Sequence, residues 1–213
     1  MHITKDASIS RTADGQGITD LRDAISRCKI CAPYLPNPPR PLAFFSGTAR
    51  IVIIGQAPGR LAHESGIAWN DPSGRRLREW MDVDETTFFD QGRIAIVPMG
   101  FCFPGTGSSG DLPPRPECAP RWQGLIGEML PAGHLRLLVG NYAQAAYLPK
   151  ATGQNLVDRV RWSYDQDSNQ IVLPHPSWRV TGWMKRNPWF ESEIIPWLRR
   201  RIDAALKQES TTS

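Results

Sequence analysis

The run "IVIIGQAPGRLAHESGIAW", residues 51–69, sets four consecutive apolar β-formers before Gly-Gln-Ala-Pro-Gly and a polar stretch that ends at Trp69. A short strand that is apolar at every position, not at every second one, is buried on both faces. That is the habit of a parallel sheet covered by helices on both sides. Extended by a residue at each end it reads "RIVIIG" (50–55), and three further runs share its character: "RIAIVPMG" (93–100), "LRLLVG" (135–140) and "QIVLP" (170–174). Helical patterns fall between and around them, at 73–83, 118–130 and 141–148, with 19–28 before the first strand and 187–206 after the last. Thr19 or Asp20 is the expected cap of the first helix and Asn187 that of the last, where Pro188 suits the first helical position. Strand and helix in alternation predict an α/β fold, a single-domain three-layer α/β/α sandwich around a central four-stranded, mostly parallel sheet. The domain is expected over 19–207, behind a flexible lead-in (1–18) and before a short tail (208–213).

With 213 residues the chain has enough length for one sizeable core. Hydrophobic residues make up 40% and charged residues 22%, with no apolar run of membrane-spanning length and no apolar signal-peptide core near the N-terminus. The expected setting is the interior of a bacterial-type cell, without a membrane partner. Net charge is +4, which suits a polyanion because neutralised phosphates release counterions. Basic and aromatic residues interleave in "GRRLR" (74–78), "VRW" (160–162), "WRVTGWMKRNPW" (178–189) and "WLRRRID" (197–203). Such stretches fit stacked bases beside a phosphate backbone. They equally fit arginines whose stems cover core tryptophans.

Ligands of an open α/β sheet sit beyond the carboxyl ends of its strands. Three of the four strands end in unusual chemistry there: "GQAPG", "MGFCFPG" and "PHPSW". Glycine gives a loop room to pass close under a flat ligand. Prolines on either side of His175 stiffen its loop. The four cysteines form two pairs, Cys28-x2-Cys31 and Cys102-x15-Cys118. In a reducing compartment such pairs point to a metal site before disulfides, and both structural zinc and an iron–sulfur cluster use four thiolates.

These residues together resemble the uracil-DNA glycosylase superfamily, most closely its iron–sulfur-containing family-four branch. That branch ends its first strand in a Gly-Glu-(Ala/Gly)-Pro-Gly loop, stacks an aromatic ring on uracil, and carries an "HP" loop after its last strand. The matching positions are Gly55-Gln56-Ala57-Pro58-Gly59, Trp69 and His175-Pro176-Ser177. The cysteine spacing resembles the branch as well and implies a [4Fe–4S] cluster on Cys28, Cys31, Cys102 and Cys118, with zinc the alternative. The likeness runs from about residue 20 to residue 206.

The resemblance implies a monomeric, nucleoid-associated DNA repair glycosylase acting on DNA that contains a deaminated base. The base is flipped out of the helix and its N-glycosidic bond hydrolysed. His175 is then the donor to the departing base, and Trp69 the stacking platform, against the plainer reading of a core tryptophan. The loop 55–59 supplies backbone N–H groups, Gln56 is a catalytic candidate that offers an amide donor and an acceptor, and His63, Glu64, Asn70 and Asp71 are the candidates for polarising water. Ser177, Trp178, Arg179 and Lys185 are expected to meet DNA, with Trp178 or Val180 as a wedge. Three departures stand out: Gln56 replaces a glutamate, Ala57 a catalytic aspartate or asparagine of other branches, and Pro98 the asparagine that reads uracil. They leave open a glycosylase for hypoxanthine or xanthine, or a DNA-binding member that has lost catalysis.

Overall fold

The computed structural model describes residues 15–108, 110–148 and 155–207. The expected tail and all but the last four residues of the expected lead-in lie outside them. Those four residues are helical, because α1 runs Gly15–Ser26 and so starts ahead of both Thr19 and Asp20. Thr19 turns its hydroxyl back to the carbonyl of Gly15, 2.8 Å away, a bond made inside the helix and not at its cap.

All four predicted strands form, as β1 (Ile51–Ile54), β2 (Ile94–Ile96), β5 (Leu135–Val139) and β6 (Gln170–Leu173). They pair in the order β2-β1-β5-β6, and every pairing is parallel. The outer edge of β2 is covered where Phe44 makes a single antiparallel bridge to Ile96. The two remaining strands, β3 (Thr106–Gly107) and β4 (Gly110–Asp111), make a small hairpin apart from the sheet.

Alternate residues of each strand enter opposite cores, since successive side chains of a strand point to opposite faces. Ile51, Ile53, Ile94, Ile96, Leu135 and Leu137 pack with α3 (Pro72–Met81) and α9 (Ile195–Lys207). Val52, Ile54, Ala95, Val97 and Leu138 pack instead with α1 and α5 (Cys118–Met129). The result is the expected three-layer sandwich, and complete burial of Ile51–Ile54 explains why β1 shows no polar alternation.

The expected start of the last helix is corrected. Asn187 does not cap the last helix with its side chain. It ends α8 (Val180–Arg186), its amide donating to the Trp183 carbonyl at 2.9 Å. The last helix then opens with a π-helical turn, Phe190–Ile194, before α9. Pro196 sits at the second position of α9, where it has no N–H and crowds the carbonyl four residues back, and a wider turn relieves that conflict. A helix not anticipated from the sequence, α7 (Leu156–Asp165), is capped by Asn155, which accepts from the Asp158 N–H at 3.0 Å.

Candidate active site

The chain steps from β1 to β2 on one side and then to β5 on the other, so the sheet has its switch point between β1 and β5. A cavity of about 460 Å³ opens at the carboxyl ends there. The loop 55–59 forms one wall. Its backbone is laced to the loop after β2: Met99 N–H donates to Gly55 O and Gly100 N–H to Gln56 O, both at 2.9 Å. The Gln56 amide reaches across to the carbonyl of Leu112, also 2.9 Å away, and ties the β3–β4 hairpin to this wall.

Trp69 has φ +58°, a left-handed backbone that a bulky side chain rarely adopts. Such a conformation persists where the surroundings over-determine it, and α3 does so here. Asp71 caps that helix, accepting from Gly74 N–H at 2.7 Å. Arg78 reaches the Trp69 carbonyl at 3.4 Å. Gly55 makes room for the indole: a Cβ there would stand 3.1 Å from Trp69 Cζ2.

His175 leaves β6 between two buried prolines. Arg76, also on α3, holds its loop by donating to the carbonyl of Ser177 at 2.7 Å. Beneath it Gly140, at φ +83°, leaves space that a Cβ would bring to 3.5 Å from His175 Cβ. The imidazole is open on the cavity side and walled by protein elsewhere. That partial desolvation pushes its pKa down, against the pull of the Asp71 and Asp111 carboxylates. It is therefore a neutral N–H donor near pH 7. Trp69 and His175, more than a hundred residues apart, lie ring to ring with centroids 5.8 Å apart and planes at 28°.

Gly55, Gln56, Ala57, Pro58, Gly59, Trp69, Asp71, His175, Ser177 and Arg179 all line this one cavity. Glu64 does not. It lies on α2 (Arg60–Ser65), half exposed and paired with Arg60 at 3.0 Å, a partner one helical turn away. Trp178 points outward, 75% exposed, with the Arg179 guanidinium 5.0 Å from its ring centre. Lys185 is exposed on α8. Pro98 lines the cavity where an amide was absent from the sequence, and its carbonyl is taken by Gln123 at 2.8 Å. Sequence reasoning missed Asp111, which reaches the same cavity from the hairpin. "GSSGD" reads as a turn, and only its place just beyond β2 hinted at the site.

The four cysteines are free thiols around one narrow, mostly apolar cavity that Arg115 and Trp122 also border. Burial pushes Cys102 up to about 11 and Cys118 up to about 12, and the thiols reinforce one another. In identity, number and convergence this donor set suits a four-thiolate group. The space between the thiols, about 20 Å³, would admit such a group only with side-chain rotation. Among the described residues no three histidine, cysteine or acidic side chains are arranged to hold a metal ion.

The family model of the Uracil DNA glycosylase superfamily matches residues 42–199. The chain belongs to that superfamily. The match contains the whole lining of the large cavity and two of the four cysteines, Cys102 and Cys118. Membership and site together point to DNA glycosylase chemistry, the hydrolysis of a base from its sugar. Among the described residues no helix is long and apolar enough to cross a membrane.

Proposed function

We propose that this protein is a DNA repair glycosylase of the family-four kind that draws a deaminated base, uracil foremost, out of DNA and hydrolyses its N-glycosidic bond. The observation that carries the reading is the meeting of Trp69, His175 and the 55–59 loop around one cavity at the switch point of the sheet. A flipped base needs a π-face to replace the stacking it loses, and Trp69 supplies one. Bond cleavage puts negative charge on the base, and a preorganised donor at that place lowers the barrier. His175 is that donor, its neutral N–H directed at the base carbonyl, its loop fixed by Arg76 and two prolines.

Ser177 and Arg179 at the cavity mouth hold the flanking phosphates, and exposed Trp178 fills the gap left in the duplex. Lys185 extends the same basic face. Cys28, Cys31, Cys102 and Cys118 would hold a [4Fe–4S] cluster in preference to zinc, a reading supported by the cysteine spacing and by four thiols that border one cavity. When bound, the cluster would serve as a cross-link between the end of α1 and the loop after β2. The protein acts as a monomer on chromosomal DNA.

A second reading, a glycosylase for hypoxanthine or xanthine, is favoured by Pro98, which offers the cavity an apolar ring and no amide. Oligonucleotides carrying uracil, hypoxanthine or xanthine, single-stranded and duplex, followed by alkaline cleavage, separate the two. Cleavage at uracil supports the first and cleavage at a purine alone supports the second. Tight binding without cleavage of any of them leaves a DNA-binding member that has lost catalysis.

A further inference from the structure

Ala57 leaves the 55–59 loop without a carboxylate, yet the sugar gains positive charge as its bond to the base breaks. Two carboxylates line the cavity, Asp71 and Asp111. Asp71 spends Oδ1 on the N-terminus of α3, accepting from Gly74 N–H at 2.7 Å. Among the described residues Asp111 meets only the Thr106 hydroxyl, at 3.5 Å. Its Oδ2 stands 3.1 Å from the point a Cβ on Gly59 would occupy, so the carboxylate lies close against the 55–59 loop. The hairpin is held for the purpose. Leu112, the next residue, donates to Gly105 O at 2.8 Å and accepts from the Gln56 amide at 2.9 Å.

We propose that Asp111 is the catalytic carboxylate of this site, facing the sugar while His175 faces the base, with Gln56 as its positioning residue. The assignment rests on the glycosylase reading above. In the step, a water oxygen bonds to C1′ as the C1′–N bond breaks and its electron pair moves onto the base. One water proton passes to Asp111. The base anion, held by the His175 N–H, takes its proton from solvent, and Asp111 then returns its own to solvent. The charged groups that act on Asp111 are Asp71, His175 and Arg60. Partial desolvation of this otherwise exposed carboxylate and the neighbouring Asp71 raise its pKa, with Thr106, His175 and Arg60 opposing, and a raised carboxylate is a stronger base.

The test compares wild type with Asp111→Asn on duplexes whose deoxyribose at one position is replaced by a cationic pyrrolidine or by neutral tetrahydrofuran. Wild type is expected to prefer the cationic sugar by about tenfold or more, the scale of one close charge pair, and Asp111→Asn to lose that preference. On a base that wild type cleaves, the variant's single-turnover rate should fall by roughly 10²–10⁴. A third readout needs no turnover. The His175 imidazole, followed by NMR, should titrate at lower pH in Asp111→Asn, because a facing carboxylate favours the imidazolium. An unmoved His175 titration, or wild-type cleavage kept in full by the variant, overturns the role of Asp111 and leaves the glycosylase reading standing. No cleavage and no cation preference in wild type would remove both.

Discussion

A Cβ added to Gly74 would stand 1.8 Å from the carbonyl oxygen of Trp69. The first turn of α3 is therefore pressed against the backbone of Trp69, whose left-handed turn is packed against that helix. The two rings of the site share this support, since Arg76 on the same helix holds the His175 loop.

Gly74→Ala must shift Trp69, the helix or both. The expected result is a loss of about 1–3 kcal/mol of stability, the usual range for overpacking, together with slower single-turnover cleavage. Denaturant titration and a cleavage time course measure the two effects. An alanine that changes neither would mean that the close approach relaxes without moving the indole.

His175 and Trp69 are assigned different work and should fail differently. His175→Ala removes a donor that matters once charge has formed on the base, so the single-turnover rate should drop by roughly 10²–10³ while affinity for damaged DNA changes little. Trp69→Ala removes stacking worth about 1–3 kcal/mol per base and should weaken capture as well as rate. Trp69→Phe keeps a π-face and should keep most of the activity. Full activity in His175→Ala would refute the assignment.

The thiols give a prediction in metal chemistry. With Cys102 and Cys118 pushed up to about 11 and about 12, both are protonated at neutral pH in the metal-free protein, so loading must release protons and strengthen as pH rises. Protein purified without oxygen should be yellow-brown and carry about four irons and four sulfides. Cys118→Ser should lose both. A colourless protein holding one zinc would decide for the alternative.

Stability should depend on pH through the histidines. Desolvation, partial for His175 with its open cavity side, holds His175 and His134 below the ordinary 6.5, so the unfolded chain binds more protons in the interval below that value. Stability therefore rises with pH there and falls as pH drops through about 6.5 and below. Urea midpoints from about pH 5 to about pH 8 should show this slope. His175→Gln should flatten it in part, leaving the share of His134. Midpoints that stay level across the range would contradict the desolvation of both groups.

Local order in the chain was enough to determine the frame. Continuous apolar runs are what double-sided burial requires, so 51–54, 94–96, 135–139 and 170–173 were legible as strands, and their alternation with helices as an α/β sandwich. The sequence also singled out Gly55, Trp69 and His175, and the structure brings all three to one cavity at the carboxyl ends of the strands. Tertiary contact decided the rest. Glu64 was lost to the site because a turn of α2 pairs it with Arg60, and Asn187 serves the helix behind it because the Trp183 carbonyl lay within reach. Asp111 was gained because a hydrogen bond from Gln56 to Leu112, 56 residues apart in sequence, anchors the hairpin over the cavity. Periodicity reports which face of an element is buried. It carries no term for which distant loop folds over that element, and in this protein those long-range contacts bring the Asp111 carboxylate to the cavity.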